Sequence, residues 1–299
     1  MVLVLGATGF VGRHLVKRLL DDGYDVRCLV RPKSDLSVLP THRVELATGD
    51  ITELRSLAAA MEGVEAAVHL VAIIVEQGRS TFEAIHVNGT RNVVRAAAAA
   101  GVQRLLYVSA LGARPHAVSR YHQTKWQAEM LIRGRGDPTG PAYGWTIVRP
   151  SIIFGEGDGF TRSVLSLLGK GPFIPIPASG RARLQPIFID DLTACISWCL
   201  GHDEAVGQTY EVGGPERLSF ERVVDMVAQR MAVRQRKLHV PLPLMFLVAY
   251  AQEILSRRPE VTVDQLKMML EDNICEPTVL KDSFGIEPTR FEDGIKTFL

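Results

Sequence analysis

Cysteine is scarce and unpatterned. The 299 residues hold four, Cys28, Cys195, Cys199 and Cys275, with no CxxC pair and no cluster of zinc-ligand spacing. A reducing, cytoplasmic setting fits that usage. Cys195 and Cys199 stand four apart on an expected helix, one above the other. They read as half a metal site or as two small core residues on an apolar face, and the core reading is preferred. Excess charge is lacking too. A net charge of +1 gives no strong overall field to draw the chain to nucleic acid or anionic lipid, so no nucleic-acid partner is expected. No apolar run is long enough to span a bilayer. The most apolar stretch, residues 241–255, is too short and is broken by Gln252 and Glu253. It is expected as a buried helix, ahead of an interfacial membrane helix or a partner-binding helix. The first strand starts at Met1, so a cleaved leader is not expected. No internal repeat is visible.

What is present is ordinary for a globular protein, with 46% apolar and 22% charged residues. The length allows one large domain or two modest ones. Strand-like segments at 1–5, 25–30, 43–47, 65–70, 104–108 and 145–148 alternate with helical patterns at 13–20, 52–61, 82–100 and 119–133. Apolar strands separated by helices indicate a parallel sheet covered on both faces, and right-handed crossovers make it a doubly wound α/β fold of the Rossmann type. The alanines of 96–100 end at Gly101 as a helix with its C-cap. Glycine and proline mark 133–144 as a surface loop. The rhythm changes after Pro150. Residues 185–189 and 208–212 read as strands. Residues 190–200 read as a helix capped by Asp190, and 219–231 as a helix capped by Ser219, with the remainder mostly helical. The expected division is a nucleotide-binding domain over 1–150, with 184–213 returning to it, and a smaller, mostly helical substrate or partner domain over 151–299.

The opening residues carry the strongest signal. An apolar strand runs straight into Gly6, Ala7, Thr8, Gly9, Phe10, Val11 and Gly12, and then into a helix. Gly6 permits the turn, Gly9 lets backbone approach phosphates, and Gly12 lets helix pack on strand. Backbone amides and the helix dipole then meet a pyrophosphate. The alternative is a glycine turn that only packs a helix. About 20 residues past such a turn, the ribose of the adenosine is read. That place holds Arg31, Pro32 and Lys33 instead of an acid. A guanidinium suits a 2′-phosphate, so NADP(H) is favoured over NAD(H). The alternative is a solvated basic loop, with NAD held by a group such as Asp35. Gly49 and Asp50 end the third strand, within reach of the adenine.

Tyr121 and Lys125 stand four apart and share one helical face. A free phenol ionises near pH 10. Bringing it near neutrality takes about 4 kcal/mol of preferential phenolate stabilisation. A nearby ammonium and an oxidised nicotinamide ring are both cationic and supply it. Lys125 is also placed to hold the nicotinamide ribose. A Tyr-x-x-x-Lys string alone is common on helix surfaces. Behind a glycine turn and just after the strand ending at Val108, the functional reading is preferred.

With these residues the chain resembles the short-chain dehydrogenase/reductase superfamily in its extended or atypical branch, the NAD-dependent epimerase/dehydratase type. The resemblance rests on the Gly6/Gly9/Gly12 turn, Gly49–Asp50, Asn88 within 87–97, Tyr121 with Lys125, and Arg149 to Gly155. Residues 185–191, 264–273 and 284–289 look more particularly like the group of nucleotide-binding accessory subunits of respiratory complex I and their bacterial relatives. The resemblance implies a cofactor site of Gly6, Thr8, Gly9, Phe10, Val11, Gly12, Arg31, Lys33, Asp50, Ile51, Val71, Ala72, Lys125, Pro150 and Ile153. It implies Tyr121, Lys125 and Ser109 as catalytic residues. One departure stands out. The superfamily's carbonyl-binding Ser or Thr would fall at 111, where this chain has leucine. Ser109 or Ser119 is left to substitute, unless each is only a strand-end or helix-cap residue. A missing donor to the substrate oxygen costs a few kcal/mol of barrier.

His69, His122, Glu156, Asp158 and Arg149 are weaker candidates, each explained as well by packing or turn chemistry. Two functions follow. One is an NADP(H)-dependent oxidoreductase acting on a small carbonyl or alcohol, such as an isoprenoid or quinone-related compound. The other is a non-catalytic NADPH-binding scaffold or redox sensor, peripheral to the inner membrane or on a membrane complex. Leu111 favours the second, and the intact Tyr121/Lys125 pair favours the first.

Overall fold

The computed structural model describes residues 1–134, 141–169, 171, 173–256 and 259–299. Half of the surface loop expected over 133–144, residues 135–140, lies outside them. The chain divides into two compact units, Met1–Arg149 with Thr193–Tyr210, and Pro150–Leu192 with Glu211–Leu299. The stretch that returns to the first unit is thus shorter than 184–213.

The first unit opens with β1 (Val2–Leu5), α1 (Phe10–Asp21), β2 (Val26–Val30), β3 (Glu45–Thr48), α2 (Leu54–Met61) and β4 (Ala66–His69). A π-helical segment (Glu83–Gly89) then runs into α3 (Thr90–Ala100), followed by β5 (Arg104–Val108), α4 (Arg120–Ile132) and β6 (Gly144–Pro150). The strands stand in the order β3-β2-β1-β4-β5-β6, every neighbour parallel. Crossover helices cover such a sheet, so its strands are apolar on both sides. Leu3, Leu5, Leu105, Tyr107 and Ile147 face α2, α3 and α4, packing on Leu57, Met61, Val93, Ala97, Ala128 and Ile132. Burying each large side chain is worth about 1.5–3 kcal/mol. Alternation sends Val2 and Val4 to the opposite face, both also buried. Gly101 ends α3 in the left-handed region at φ +70°, the cap expected there. The single helix expected over 82–100 is instead two segments, because its first half is wound as a π-helix.

The second unit contains β7 (Ile153–Phe154), α5 (Gly159–Gly169), β8 (Phe173–Pro177), β9 (Arg183–Leu184) and β10 (Ile187–Phe188). The helix α6 (Ile189–Gly201) and strand β11 (Gln208–Val212) straddle the division, and β11 borders β6 in the large sheet. Then come β12 (Leu218–Ser219), α7 (Phe220–Arg230), β13 (Arg236–Val240), α8 (Leu242–Leu255), α9 (Val263–Met269), α10 (Val279–Phe284) and α11 (Phe291–Ile295). Phe154, Phe188 and Phe291 pack ring to ring in this unit, with centroids 5.3 and 4.7 Å from Phe154.

Four readings of this half need correction. Of the strand expected over 185–189 only Ile187–Phe188 is strand, since Pro186 has no amide to give a ladder. The helix after it starts at Ile189, so Asp190 lies in its first turn and is not its cap. The tail is less helical than expected, because β13 pairs with β8. The apolar helix α8 is not buried: only Ala249 is, while Leu247, Ile254 and Leu255 are 63%, 65% and 84% exposed. The Ser219 cap is present, accepting from the Arg222 amide at 3.2 Å. Cys195 and Cys199 are core residues of α6.

Candidate active site

The turn after β1 is shaped for close approach of an anion. Gly6 sits at φ +93°, a conformation L side chains rarely adopt. Gly12 admits no side chain, because an added Cβ would lie 2.1 Å from the Gly6 carbonyl oxygen. The Gly9 amide donates to that same oxygen at 3.0 Å, and α1 begins at the next residue. As N-cap, Gly9 offers no side-chain acceptor, and the first turn of α1 contains no acid. The leading amides and the positive end of the dipole are thereby left for a ligand. Gly9 is exposed, with Thr8, Phe10 and Val11 half-buried around it. Val71 closes the turn from β4, lying 3.3 Å from where a Gly6 Cβ would stand, and Ala72 beyond it is exposed. These residues fit the pyrophosphate of a dinucleotide.

Arg31 and Lys33 follow β2 in an exposed turn. The Ser34 amide donates to the Arg31 carbonyl at 2.9 Å, and the Arg31 amide donates to Ser34 Oγ at 3.1 Å. Among the described residues, neither cationic side chain forms an ion pair. Asp35, the acidic alternative, is turned to its own loop and accepts from the amide and hydroxyl of Ser37 at 3.0 and 2.6 Å. Those bonds hold its carboxyl below the usual range. Asp50 accepts from the amide and hydroxyl of Thr52 at 2.9 and 2.8 Å. Ile51 is buried, its carbonyl accepting from Asn92 at 3.0 Å. Pro150 and Ile153 belong to the second unit, Ile153 pairing with Ile187.

Tyr121 lies in the first turn of α4 inside an aromatic box. Its ring centroid is 5.5 Å from His86, 5.4 Å from His122 and 6.1 Å from Phe82, each edge to face. Burial pushes its phenol up to about 12, opposite to the fall toward neutrality expected from the sequence, because burial disfavours the phenolate. One turn on, Lys125 is 1% exposed. Its ammonium donates to the Val108 carbonyl at 2.7 Å and sits 4.2 Å from the Tyr107 ring centroid. Burial pulls it down to about 7, against the opposing pull of Glu129. The lysine therefore reaches the end of β5, where Ser109 follows. Ser109 is buried, and its hydroxyl has no hydrogen-bond partner among the described residues. A buried hydroxyl left unpaired costs about 1–3 kcal/mol, so it marks a position where a ligand atom would be welcome. Ser119 is accounted for otherwise, capping α4 by accepting from the His122 amide at 3.1 Å.

Two residues of this cluster escaped the sequence reading. His86, on the π-helical segment, pairs through Nδ1 with Thr124 Oγ1 at 2.9 Å, and its Nε2 accepts from the Ile73 amide at 3.1 Å. The threonine hydroxyl donates to the carbonyls of Arg120 and Tyr121, at 2.9 and 3.0 Å. It must then accept from His86, which fixes the neutral tautomer with the proton on Nδ1. Burial, with the Lys125 charge second, pulls His86 down to about 3. His86 thus ties the loop carrying Val71 and Ala72 to the helix carrying Tyr121. The only sequence hint is a histidine beside Asn88 in a helix.

The weaker candidates resolve into structural roles. His69 is fully buried, its Nε2 3.0 Å from Thr90 Oγ1, and burial pulls it down to about 3. His122 is buried against Gly112, where a Cβ would meet its ring at 3.1 Å. Asp158 accepts from the amides of Gly155 and Thr161, at 3.0 and 2.6 Å, and Glu156 is exposed. Arg149 clasps the buried carboxylate of Glu129 with two bonds of 2.8 and 2.7 Å, and Arg133 adds a third at 3.2 Å. Arg149→Met would leave that carboxylate short of its main partner. An expected loss of about 3 kcal/mol should appear as a lower midpoint of chemical denaturation.

Residues 6–167, more than half of the chain, match the family described as NAD(P)H-binding. The chain belongs to the extended short-chain dehydrogenase/reductase superfamily. Relatives of the chain are named as reductases, epimerases and dehydrogenases. Its relatives in the superfamily differ in what they are named for. It is 34% identical over 200 residues to a ceramide reductase of Caulobacter vibrioides, covering 67% of this chain and 61% of that one. It is 24% identical to the NADH-ubiquinone oxidoreductase 40 kDa subunit of Neurospora crassa, covering 95% and 75% of the two chains. A dTDP-glucose 4,6-dehydratase of Streptomyces venezuelae with NAD bound superposes with a TM-score of 0.77 over 99% of this chain and 94% of its own. At 21% identity that likeness bears on the fold alone.

Proposed function

We propose that this member is an NADP(H)-dependent oxidoreductase that interconverts a carbonyl and an alcohol on a small apolar substrate, of the isoprenoid or quinone-related kind. The observation that carries the reading is the boxed Tyr121 ring one helical turn from the buried Lys125. The bound nicotinamide supplies the hydride equivalent. The chain's residues do the rest. Gly6, Thr8, Gly9, Phe10, Val11 and Gly12 receive the pyrophosphate. Val71 and Ala72 line the cofactor, with Asp50 and Ile51 at its adenine end. Ser109 Oγ donates to the substrate oxygen in place of the missing group at 111. Tyr121 Oη delivers a proton to that oxygen as charge develops on it. Lys125 steadies the phenolate left behind and holds the ribose.

Arg31 and Lys33 support NADP(H) over NAD(H), since unpaired cations at the end of β2 suit a 2′-phosphate. Two bidentate charge-assisted bonds are worth about 2 kcal/mol or more. Arg31→Asp is therefore expected to weaken NADPH binding at least tenfold while leaving NADH binding unchanged or tighter, by fluorescence titration. Equal affinity of the unaltered protein for both nucleotides would refute the assignment. The reaction is tested by NADPH consumption against a panel of apolar ketones, aldehydes and quinones, with turnover expected for at least one class.

A second reading has its own support. Leu111 is buried where a donor is expected, and the likeness to a complex I subunit spans most of the chain. On that reading the protein retains NADPH without turnover, as a scaffold or redox sensor in the cytoplasm at the inner membrane. Among the described residues, no helix is long and apolar enough to cross a membrane.

A further inference from the structure

We propose that the second unit docks on an anionic lipid bilayer through α8 and the outer face of the β8–β13 pair. None of the catalytic residues above belongs to this surface, so its test stands or falls apart from the hydride-transfer reading.

The helix α8 is inside out. Leu244, Leu247, Val248, Tyr250, Ile254 and Leu255 are all exposed. Its two polar residues near the end are spent on backbone at the entry to α9. Gln252 Oε1 accepts from the amides of Glu260 and Val261 at 2.9 and 3.3 Å, and Glu253 Oε1 accepts from the Val263 amide at 2.9 Å. A helix of this composition left in water is a liability unless something apolar covers it. The strand that leads into it repeats the pattern. In the parallel β8–β13 pair Phe173 stands beside Arg236, and Pro175 beside Leu238. Ile174 and Ile176 take the opposite face and are buried, so Phe173 and Leu238, about half exposed, share the outer one with Arg236.

The charges select the occupant. On the opposite face the polar side chains are matched: Lys237 with Asp225 at 2.7 Å, and His239 with Glu221 at 2.5 Å. Arg234 and Arg236 are exposed and form no ion pair among the described residues. Apolar side chains with unpaired arginines beside them match acyl chains under anionic headgroups. The near-zero net charge does not oppose this, because the unpaired cations are local. A helix of 14 residues spans about 21 Å, short of the ~30 Å hydrocarbon core, so it lies along the surface and does not cross.

The full chain is to be co-sedimented with vesicles of phosphatidylglycerol and phosphatidylcholine in equal parts, and with vesicles of phosphatidylcholine alone. Binding is expected to the mixed vesicles, about tenfold weaker to the neutral ones, and reduced by salt. Leu247→Glu with Ile254→Glu should abolish it. Arg234→Glu with Arg236→Glu should remove the preference for anionic lipid. Circular dichroism and the thermal midpoint show whether each variant is folded. No binding of the unaltered chain, or equal binding to both vesicle types, overturns the proposal. So does vesicle binding untouched by Leu247→Glu with Ile254→Glu. If that variant instead turns a dimer into a monomer, the surface belongs between two copies of this chain, and the lipid assignment is overturned.

Discussion

Gly9→Asp is expected to leave the fold intact and to weaken dinucleotide binding by about 100-fold or more. Gly9 has φ −74° and ψ 174°, extended backbone open to any residue, and its Cβ would stand 3.2 Å from the Gly6 oxygen. An aspartate at an N-cap is a good cap, accepting from the amides of the first turn and adding about 0.3 kcal/mol to the helix relative to glycine. The same amides are the ones offered to the pyrophosphate. The new carboxylate therefore occupies the donors and repels the ligand at once. Two like charges about 4 Å apart near a surface cost about 4 kcal/mol, or nearly three decades in affinity. The thermal midpoint should hold or rise while the dissociation constant for NADPH climbs. Gly12→Ala is the contrasting case. Its Cβ would meet the Gly6 oxygen at 2.1 Å, so fold and binding should fail together. Unchanged NADPH affinity in Gly9→Asp would mean that the turn only packs a helix on a strand.

That turn was legible because its signal is local: strand, three glycines and helix lie within a dozen residues. The sheet was legible for a related reason, since a strand buried on both faces is apolar throughout. Legibility failed where the deciding partner is distant or where composition is silent about direction. His86 meets Thr124 across 38 residues, and nothing around either one announces the other. The π-helical winding of 83–89 leaves the apolar spacing looking like ordinary helix. Gln185 and Pro186 read as strand, yet the glutamine works through its side chain. Its amide nitrogen donates to the Gly214 carbonyl at 2.8 Å, and its oxygen accepts from the Cys275 amide at 2.9 Å. The helix α8 is the instructive failure. Its apolar residues correctly announce a need for cover, but hydropathy does not say whether the cover is this chain. Asp158 and Ser119 show the reverse, where polar residues in suggestive places prove to be caps.

Tyr121→Phe is expected to lower kcat for carbonyl reduction about 1,000-fold while leaving NADPH affinity within about twofold. Phenylalanine keeps the ring in its box of Phe82, His86 and His122, so only the hydroxyl is lost. The pH dependence separates a proton donor from a packing residue. The phenol, pushed up to about 12, stays protonated through the neutral range, so the donor itself is always present. What titrates is the group that stabilises the phenolate it leaves. Lys125 is pulled down to about 7 by burial. Below that pH the ammonium is charged and offsets the new phenolate; above it the amine is neutral and does not. His69 and His86, both pulled down to about 3, stay neutral across this range and add no titration. For reduction, kcat/KM should therefore fall as pH rises through about 7, and the fall should vanish in Tyr121→Phe and in Lys125→Met. A tyrosine that merely packs predicts no such coupling between the two variants. Turnover in Tyr121→Phe equal to that of the unaltered protein would remove the acid–base role. NADPH held tightly with no carbonyl reduced by either protein would instead favour the non-catalytic reading. Leu111 would then mark the point at which the chain gave up its reaction, because a hydride acceptor without a donor to its oxygen faces a barrier higher by a few kcal/mol.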